Sequence, residues 1–397
     1  MKILYHHRIA SKDGQYVHVD ELTRALKRQG HEIIMVSPTI TETDDFGSEG
    51  GLVPLLKKYI PQFIYELLEL SYAVYAYRKL ARAVKTHQPD CLYERYNLYM
   101  PAGVWIKRRF RLPMLSEVNA PIFNERSKYH GIALKSLAKW SENYVWRGAD
   151  KVLPVTRVLA GYVEAAGVLP ENIMVIPNGI DEAKFNDIPD IDSAKQKLGL
   201  SGKLVLGFTG FMREWHGLER VVDLIAQHSD EDRHLLLVGD GPARSDIEKR
   251  ARSLGVSDKV TITGVVSRDH IADYVSTFDI ALQPDVVEYA SPLKLFEYLA
   301  LARAIVAPNT ANIREVLTHE KNALLFNQEH ANGFVDAVER LCQDETLRMR
   351  IAHAARNTIA EAGYTWDENA RRVAQCFVEL GVKDTRTPPG GSAETAD

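Results

Sequence analysis

The sequence predicts an α/β protein made of two doubly wound parallel sheets. Three observations carry this: short β-rich runs alternate with helical patterns from end to end, the rhythm resumes after a turn-rich, acidic and proline-containing break near residue 180, and 397 residues suit two domains better than one. In the first half the strand candidates are Lys2–Tyr5, Glu32–Ser37, Asp90–Glu94, Pro113–Val118, Lys151–Val155 and Met174–Ile176. Between the first two, Asp20–Gln29 sets Leu22, Ala25 and Leu26 on one helical face and Gly30 stops the helix, which completes a βαβ unit. In the second half Leu204–Thr209, His234–Val238, Val260–Thr263, Ile280–Gln283, Ala304–Ala307 and Ala323–Phe326 repeat the rhythm, with helices near 217–228, 243–254, 293–302, 312–318 and 330–342. No short sequence repeat underlies this, so the two Rossmann-like halves are alike in architecture alone.

The junction is expected between Pro177 and Asp192. This gives an N-terminal domain over 1–180 and a C-terminal domain over 181–365. Ligands of open α/β sheets bind at the carboxyl ends of the strands, so two such sheets facing each other enclose a central cleft. Residues 385–397 lack an apolar face and read as a disordered tail.

Composition narrows the class. A net charge of −4 gives no support to nucleic acid as the main partner. Cys91, Cys342 and Cys376 are scattered without CxxC spacing, which indicates neither a disulfide framework nor a zinc site. The chain opens directly on a strand pattern, and no apolar stretch approaches the ~20 residues that span a bilayer. A cytoplasmic protein, soluble or peripheral at the inner face of the membrane, is expected.

Two segments carry the chemistry. In Gly207-Phe-Thr-Gly-Phe-Met-Arg-Glu-Trp-His-Gly217 and Ser291-Pro-Leu-Lys-Leu-Phe-Glu-Tyr-Leu-Ala300, a strand or turn gives way to a helix start bearing cations or free N–H groups, the arrangement that holds a diphosphate. Arg213 and His216 sit between Gly210 and Gly217 as diphosphate ligands; the bland alternative is a solvated loop pair. Arg213 supplies a permanent, two-pronged cation, and a neutral His216 still donates one hydrogen bond. Ser291 reads as an N-cap with Pro292 at the first helical position, aiming the N–H groups of Leu293 and Lys294 at an anion. Glu297, about one turn in, cannot favour phosphate but accepts hydrogen bonds from paired sugar hydroxyls. Diphosphate plus diol reads as a nucleotide.

With Asp13-Gly-Gln-Tyr-Val-His18, Val175-Ile-Pro-Asn-Gly-Ile-Asp181 and Val238-Gly-Asp-Gly-Pro242, these segments make five motifs in order, and the chain from Met1 to about Trp366 resembles glycosyltransferase family 4. The resemblance implies a GT-B fold whose last helix, here 366–382, returns to the N-terminal domain. It also implies a retaining, metal-independent transfer of sugar from a UDP- or GDP-sugar to a hydroxyl of a glycan, lipid-linked sugar or small molecule, with no cofactor. It places Val265 and Val266 beside a nucleobase. Three departures follow. Phe211 and His216 stand where the family has Arg and Lys; Tyr289 stands where the first of its paired glutamates falls, with Glu288 one step out of register; and Glu117 or Asn119 replaces a usual His. Tyr289 is carried as a donor contact.

Each remaining candidate has a structural alternative. Gly14 and Gln15 either bring backbone close to a donor or acceptor or form a tight loop. Glu117 either binds a sugar hydroxyl and stabilises positive character at the anomeric carbon, or is a structural carboxylate at a strand end. Gly239–Pro242 reads as a turn, lacking the third glycine of a dinucleotide fingerprint. The tyrosines and basic residues of Leu55–Lys85, with Lys107–Arg111, make either a membrane-facing surface or ordinary solvated helices. Two rival functions stay open: a non-hydrolysing nucleotide-sugar epimerase and a catalytically inactive nucleotide-sugar-binding protein.

Overall fold

The computed structural model describes residues 1–9, 14–38, 60–129, 131–185 and 190–384. Part of the aromatic and basic stretch (55–59), part of the junction (186–189) and the tail expected over 385–397 lie outside the described residues. The chain divides into two compact units, one comprising Met1–Val155, Leu159–Ile176 and the chain from Asp367 on, the other Thr156–Val158 and Pro177–Trp366.

In the first unit β1 (Lys2–His6), β2 (Glu32–Val36), β3 (Cys91–Arg95), β4 (Met114–Val118) and β5 (Lys151–Pro154) form one parallel sheet in the order β2-β1-β3-β4-β5. β3 and β4 are buried along their whole length, as strands covered by helices on both faces must be. The order reverses between β1 and β3, and the crevice outside the carboxyl ends there is where such sheets take ligands. The expected strand Met174–Ile176 is not one. It runs beside β5 through hydrogen bonds from Met174 N–H to Val152 O and from Ile176 N–H to Pro154 O, both 3.0 Å. Helix Trp366–Glu379 belongs to this unit from Asp367 on: Arg28 pairs with Asp367 at 2.9 Å, and Gln29 Nε2 donates to the Asp367 carbonyl at 2.6 Å.

In the second unit β6 (Leu204–Thr209), β7 (Arg233–Val238), β8 (Val260–Ile262), β9 (Ile280–Leu282), β10 (Ala304–Pro308) and β11 (Leu324–Phe326) form a parallel sheet in the order β11-β10-β9-β6-β7-β8. Successive side chains go to opposite faces: Leu206, Leu237 and Val306 enter one core, Val205, Leu236 and Ile305 the other. The order reverses between β6 and β9. The fold class read from the sequence, α/β with two doubly wound Rossmann-like sheets, is the one observed. Several helices escaped that reading, among them Ala102–Phe110, Lys135–Gly148, Arg268–Val275 and Glu345–Ala362, because their apolar stripes are short or interrupted by charge.

Candidate functional site

In the second unit, the candidate site lies at the carboxyl end of β6, on the reversal of strand order. After Thr209 the chain turns through Gly210 at φ 120° and enters a one-turn 3-10 helix, Glu214–His216. This loop is laced to the one after β7. Gly210 N–H donates to Val238 O at 2.9 Å, and Met212 N–H to Asp240 O at 2.8 Å. Gly239 and Gly241, both at positive φ, pass so close that a Cβ on either would lie 2.2 Å from the Gly210 or Met212 carbonyl oxygen. The Gly239–Pro242 turn is thus a brace for the Arg213 loop.

Within that loop Arg213 is exposed, stacks 5.0 Å from the Phe211 ring and has no ion pair among the described residues. His216 is buried between Phe208 and Trp215, with ring centroids at 4.9 and 4.0 Å. Its Nδ1 accepts the Arg213 N–H at 3.1 Å, leaving Nε2 as the protonated donor nitrogen. Burial, with the charges of Lys294 and Arg213, pushes its pKa down to about 3, so the ring is neutral at ordinary pH.

Helix Leu293–Ala300 starts beside the same loop. Here the sequence reading needs correction: Pro292, not Ser291, occupies the N-cap, and no side chain caps the helix. Ser291 is held by Asn178, whose Nδ2 donates to the Ser291 carbonyl at 2.6 Å and whose N–H reaches Oγ at 3.4 Å. Pro292 has no N–H to offer. The N–H groups of Leu293 and Lys294 have no backbone partner among the described residues and point out of the helix N-terminus. The Lys294 ammonium lies 3.8 Å from the Phe208 ring centroid and against Gly210, where a Cβ would come within 3.3 Å of Nζ. Burial, opposed by the charge of Glu297, pulls its pKa down to about 7. Glu297 is buried, with Arg268 Nη2 at 3.8 Å from Oε1.

Of the other candidates in this unit, Val265 is 58% exposed and Val266 partly buried. Tyr289 is half-buried, its carbonyl accepting from Thr156 Oγ1 at 2.9 Å, and Glu288 is exposed. The structure thus gathers Arg213, His216, Lys294 and the helix N-terminus about one loop. The sequence reading used Lys294 only through its backbone and missed Arg268 altogether. One local signal points to the Lys294 side chain: a cation in the first turn of a helix whose first turn holds no acid opposes the helix dipole, and such conflicts mark functional sites.

In the first unit, Gly14 and Gln15 are the first two residues of helix Gly14–Arg28; Asp13 lies outside the described residues. Glu117, near the end of β4, is 2% exposed. Its Oε1 is taken by Arg95 and Asn119, and its Oε2 accepts from Tyr93 at 2.7 Å, from His18 Nε2 at 3.2 Å and from Tyr5 at 3.4 Å. A carboxylate offers about four lone pairs. Burial alone would raise its pKa, but the charges of His18 and Arg95 and the hydrogen bonds from His18 and Tyr93 outweigh that and hold it well below the usual range. Both oxygens of Glu117 thus meet partners inside the protein, which favours the alternative of a structural carboxylate, here tying the ends of β1, β3 and β4, over a sugar-facing one. Next to it, His6 Nδ1 pairs with the buried Glu94 at 2.6 Å. Among the described residues no group of three or more His, Cys, Asp or Glu is placed to hold a metal ion, and no helix is long and apolar enough to cross a membrane.

Comparison with known proteins follows the division into units. The family model described as Glycosyl transferases group 1 matches residues 203–344, and that described as Glycosyltransferase Family 4 matches residues 12–184. The chain is 25% identical over 252 residues to the alpha-D-kanosaminyltransferase of Streptomyces kanamyceticus, a match covering 62% of this chain and 64% of that protein, just under two thirds of its length. It is 24% identical over 389 residues to the D-inositol 3-phosphate glycosyltransferase of Xylanimonas cellulosilytica, covering 92% of this chain and 91% of that one. Among solved structures, Anabaena HepE in complex with UDP and glucose matches with a TM-score of 0.73 at 18% identity, over 96% of this chain and 100% of that chain. The fold is that of the GT-B glycosyltransferases.

Proposed function

Because this chain belongs to the group 1, family 4-like glycosyltransferases, we propose that it transfers a sugar from a nucleoside diphosphate donor, a UDP- or GDP-sugar, to a hydroxyl of a glycan, lipid-linked or small-molecule acceptor, with retention at the anomeric carbon. The observation that carries the reading is the convergence of Arg213, Lys294 and the free N–H groups of Leu293 and Lys294 at the switch point of the second sheet. As the glycosidic bond breaks, negative charge grows on the departing diphosphate. Arg213 grips two of its oxygens, the Lys294 ammonium answers a third, and the helix N-terminus and His216 Nε2–H add donors already in position. This charge balance is complete without a metal or other cofactor. Glu297 accepts the ribose hydroxyls, with Arg268 holding its carboxylate, and the base lies against the backbone at Val265. The complexes of HepE with UDP and with UDP-glucose support a nucleotide-sugar donor.

Retention proceeds by attack on the face the leaving group vacates, within a short-lived ion pair. With its oxygens engaged, Glu117 has no part in that step, and a positioned carboxylate pair of the kind an epimerase uses is not part of the reading. The test is incubation with a panel of nucleotide sugars and hydroxyl acceptors, followed by product analysis. Released nucleoside diphosphate with an α-linked product from an α-linked donor supports the proposal. An epimerised donor, or binding without turnover across the panel, overturns it.

A further inference from the structure

Helix Gln62–His87 is inverted over its first half. Its buried side carries Glu66 and Glu69 before it reaches Ala73, Ala76, Leu80 and Val84. The opposite, solvent side carries Phe63, Ile64, Leu67, Leu68, Val74 and Tyr75, each between 38% and 53% exposed. At 100° per residue these six fall within about 140° of one another, with exposed Ser71 the only polar residue among them. The buried carboxylates are fully engaged. Arg126 forks onto Glu69 at 2.7 and 3.0 Å, while the Tyr99 hydroxyl and the N–H groups of Ala133 and Leu134 donate to Glu66 at 3.0, 2.8 and 2.7 Å. A helix that faced only water would place these residue types the other way round. A continuous apolar stripe left outside marks a contact surface.

Beyond Tyr75 the same stripe continues as Arg78, Arg82 and Lys85, all exposed and without an ion pair among the described residues. The apolar part runs for about 18 Å and the cationic part for about 10 Å along the axis. We infer that this face docks on an anionic lipid bilayer, its apolar half in the acyl boundary and Arg78, Arg82 and Lys85 among the headgroups. A second copy of the chain or another protein would cover the apolar half but leaves the row of three cations unexplained; anionic headgroups account for both. No helix among the described residues is long and apolar enough to cross a membrane, so the contact is in the plane of the surface. The inference goes beyond the transferase reading, and its test uses partitioning instead of turnover, so either can fail alone.

The full chain is floated with vesicles of phosphatidylcholine alone and of phosphatidylcholine with phosphatidylglycerol. Binding to the mixed vesicles, weakened by salt, is expected. Arg78→Gln with Arg82→Gln should lower that partitioning by about thirtyfold, and Leu67→Glu with Leu68→Glu should abolish it. All four positions are exposed, so melting temperature should hold steady in both variants and serves as the folding control. Three results would overturn the inference: no flotation with anionic vesicles, binding that both double variants retain, or a dimer in sedimentation that Leu67→Glu with Leu68→Glu disperses while vesicles are ignored.

Discussion

Replacing Lys294 by Met should stabilise the free protein while weakening its hold on the donor. Keeping a lysine at a pKa of about 7 instead of the ordinary 10.5 costs the folded state, at pH 7, about 4 kcal/mol at 1.36 kcal/mol per pH unit. Methionine fills a similar volume without a charge to desolvate, but forfeits the ammonium's contact with the Phe208 ring, worth about 0.5–2 kcal/mol. The net gain is about 2–4 kcal/mol, or about 5–10 °C in Tm. The pH dependence separates this cause from better packing. Between about pH 7 and 10.5 the folded Lys294 is neutral while the unfolded one keeps its proton, so the unfolded state binds more protons and wild-type stability rises with pH through this window. The advantage of the variant should therefore shrink, by about 2 kcal/mol between pH 7 and pH 9. Binding of a nucleoside diphosphate should recharge Lys294, so calorimetry in buffers of different ionisation enthalpy should register uptake of about half a proton at pH 7 by the wild type and none from this source in the variant. Thermal melts at the two pH values and that titration are the assays. A variant no more stable than wild type, with an unchanged pH profile and undiminished binding, would refute both the desolvation of the Lys294 ammonium and its place at the diphosphate.

Arg213→Ala should lower kcat by tenfold or more while changing KM less, since the charge it meets grows in the transition state; turnover within twofold of wild type would remove it from the mechanism. Glu297→Gln should weaken donor affinity about tenfold, and a 2′-deoxyribose donor should lose less on the same change; full additivity in that cycle would mean Glu297 does not touch the ribose. Glu117→Gln breaks a buried ion pair with Arg95 and should cost about 3–5 kcal/mol in a urea melt, with kcat per folded molecule nearly kept. Turnover lost at unchanged stability would instead return Glu117 to the chemistry. Activity should survive EDTA; loss that magnesium or manganese restores would contradict the metal-free charge balance.

Local pattern settled a good deal of this protein. Strand and helix rhythms are set by side-chain periodicity, so all eleven strands among the described residues were bounded to within one residue at each end, from runs such as Leu204–Thr209 and Ile280–Gln283, while the twelfth expected strand, Met174–Ile176, is not one. The glycines around Arg213, and the proline before Leu293, mark a sharp turn and a helix start in any context, so the loop and the helix start that make up the proposed diphosphate cradle were legible from the chain alone. What the sequence left open depends on partners distant along the chain. Glu117 reads as ligand or brace until Arg95, Tyr93, Tyr5 and His18 are brought to its two oxygens from β3, β1 and the first helix. Lys294 is an ordinary surface lysine by composition, and only the packing of Phe208 and Gly210 against it creates the desolvation that shifts its charge. For Gln62–His87 the sequence left open a membrane-facing surface or ordinary solvated helices; which side faces the protein was decided by Arg126, Tyr99 and two backbone N–H groups, which draw Glu66 and Glu69 inward and leave Leu67 and Leu68 outside. Periodicity is a local property and survives in the sequence, whereas burial and pairing are sums over neighbours that only the folded chain brings together.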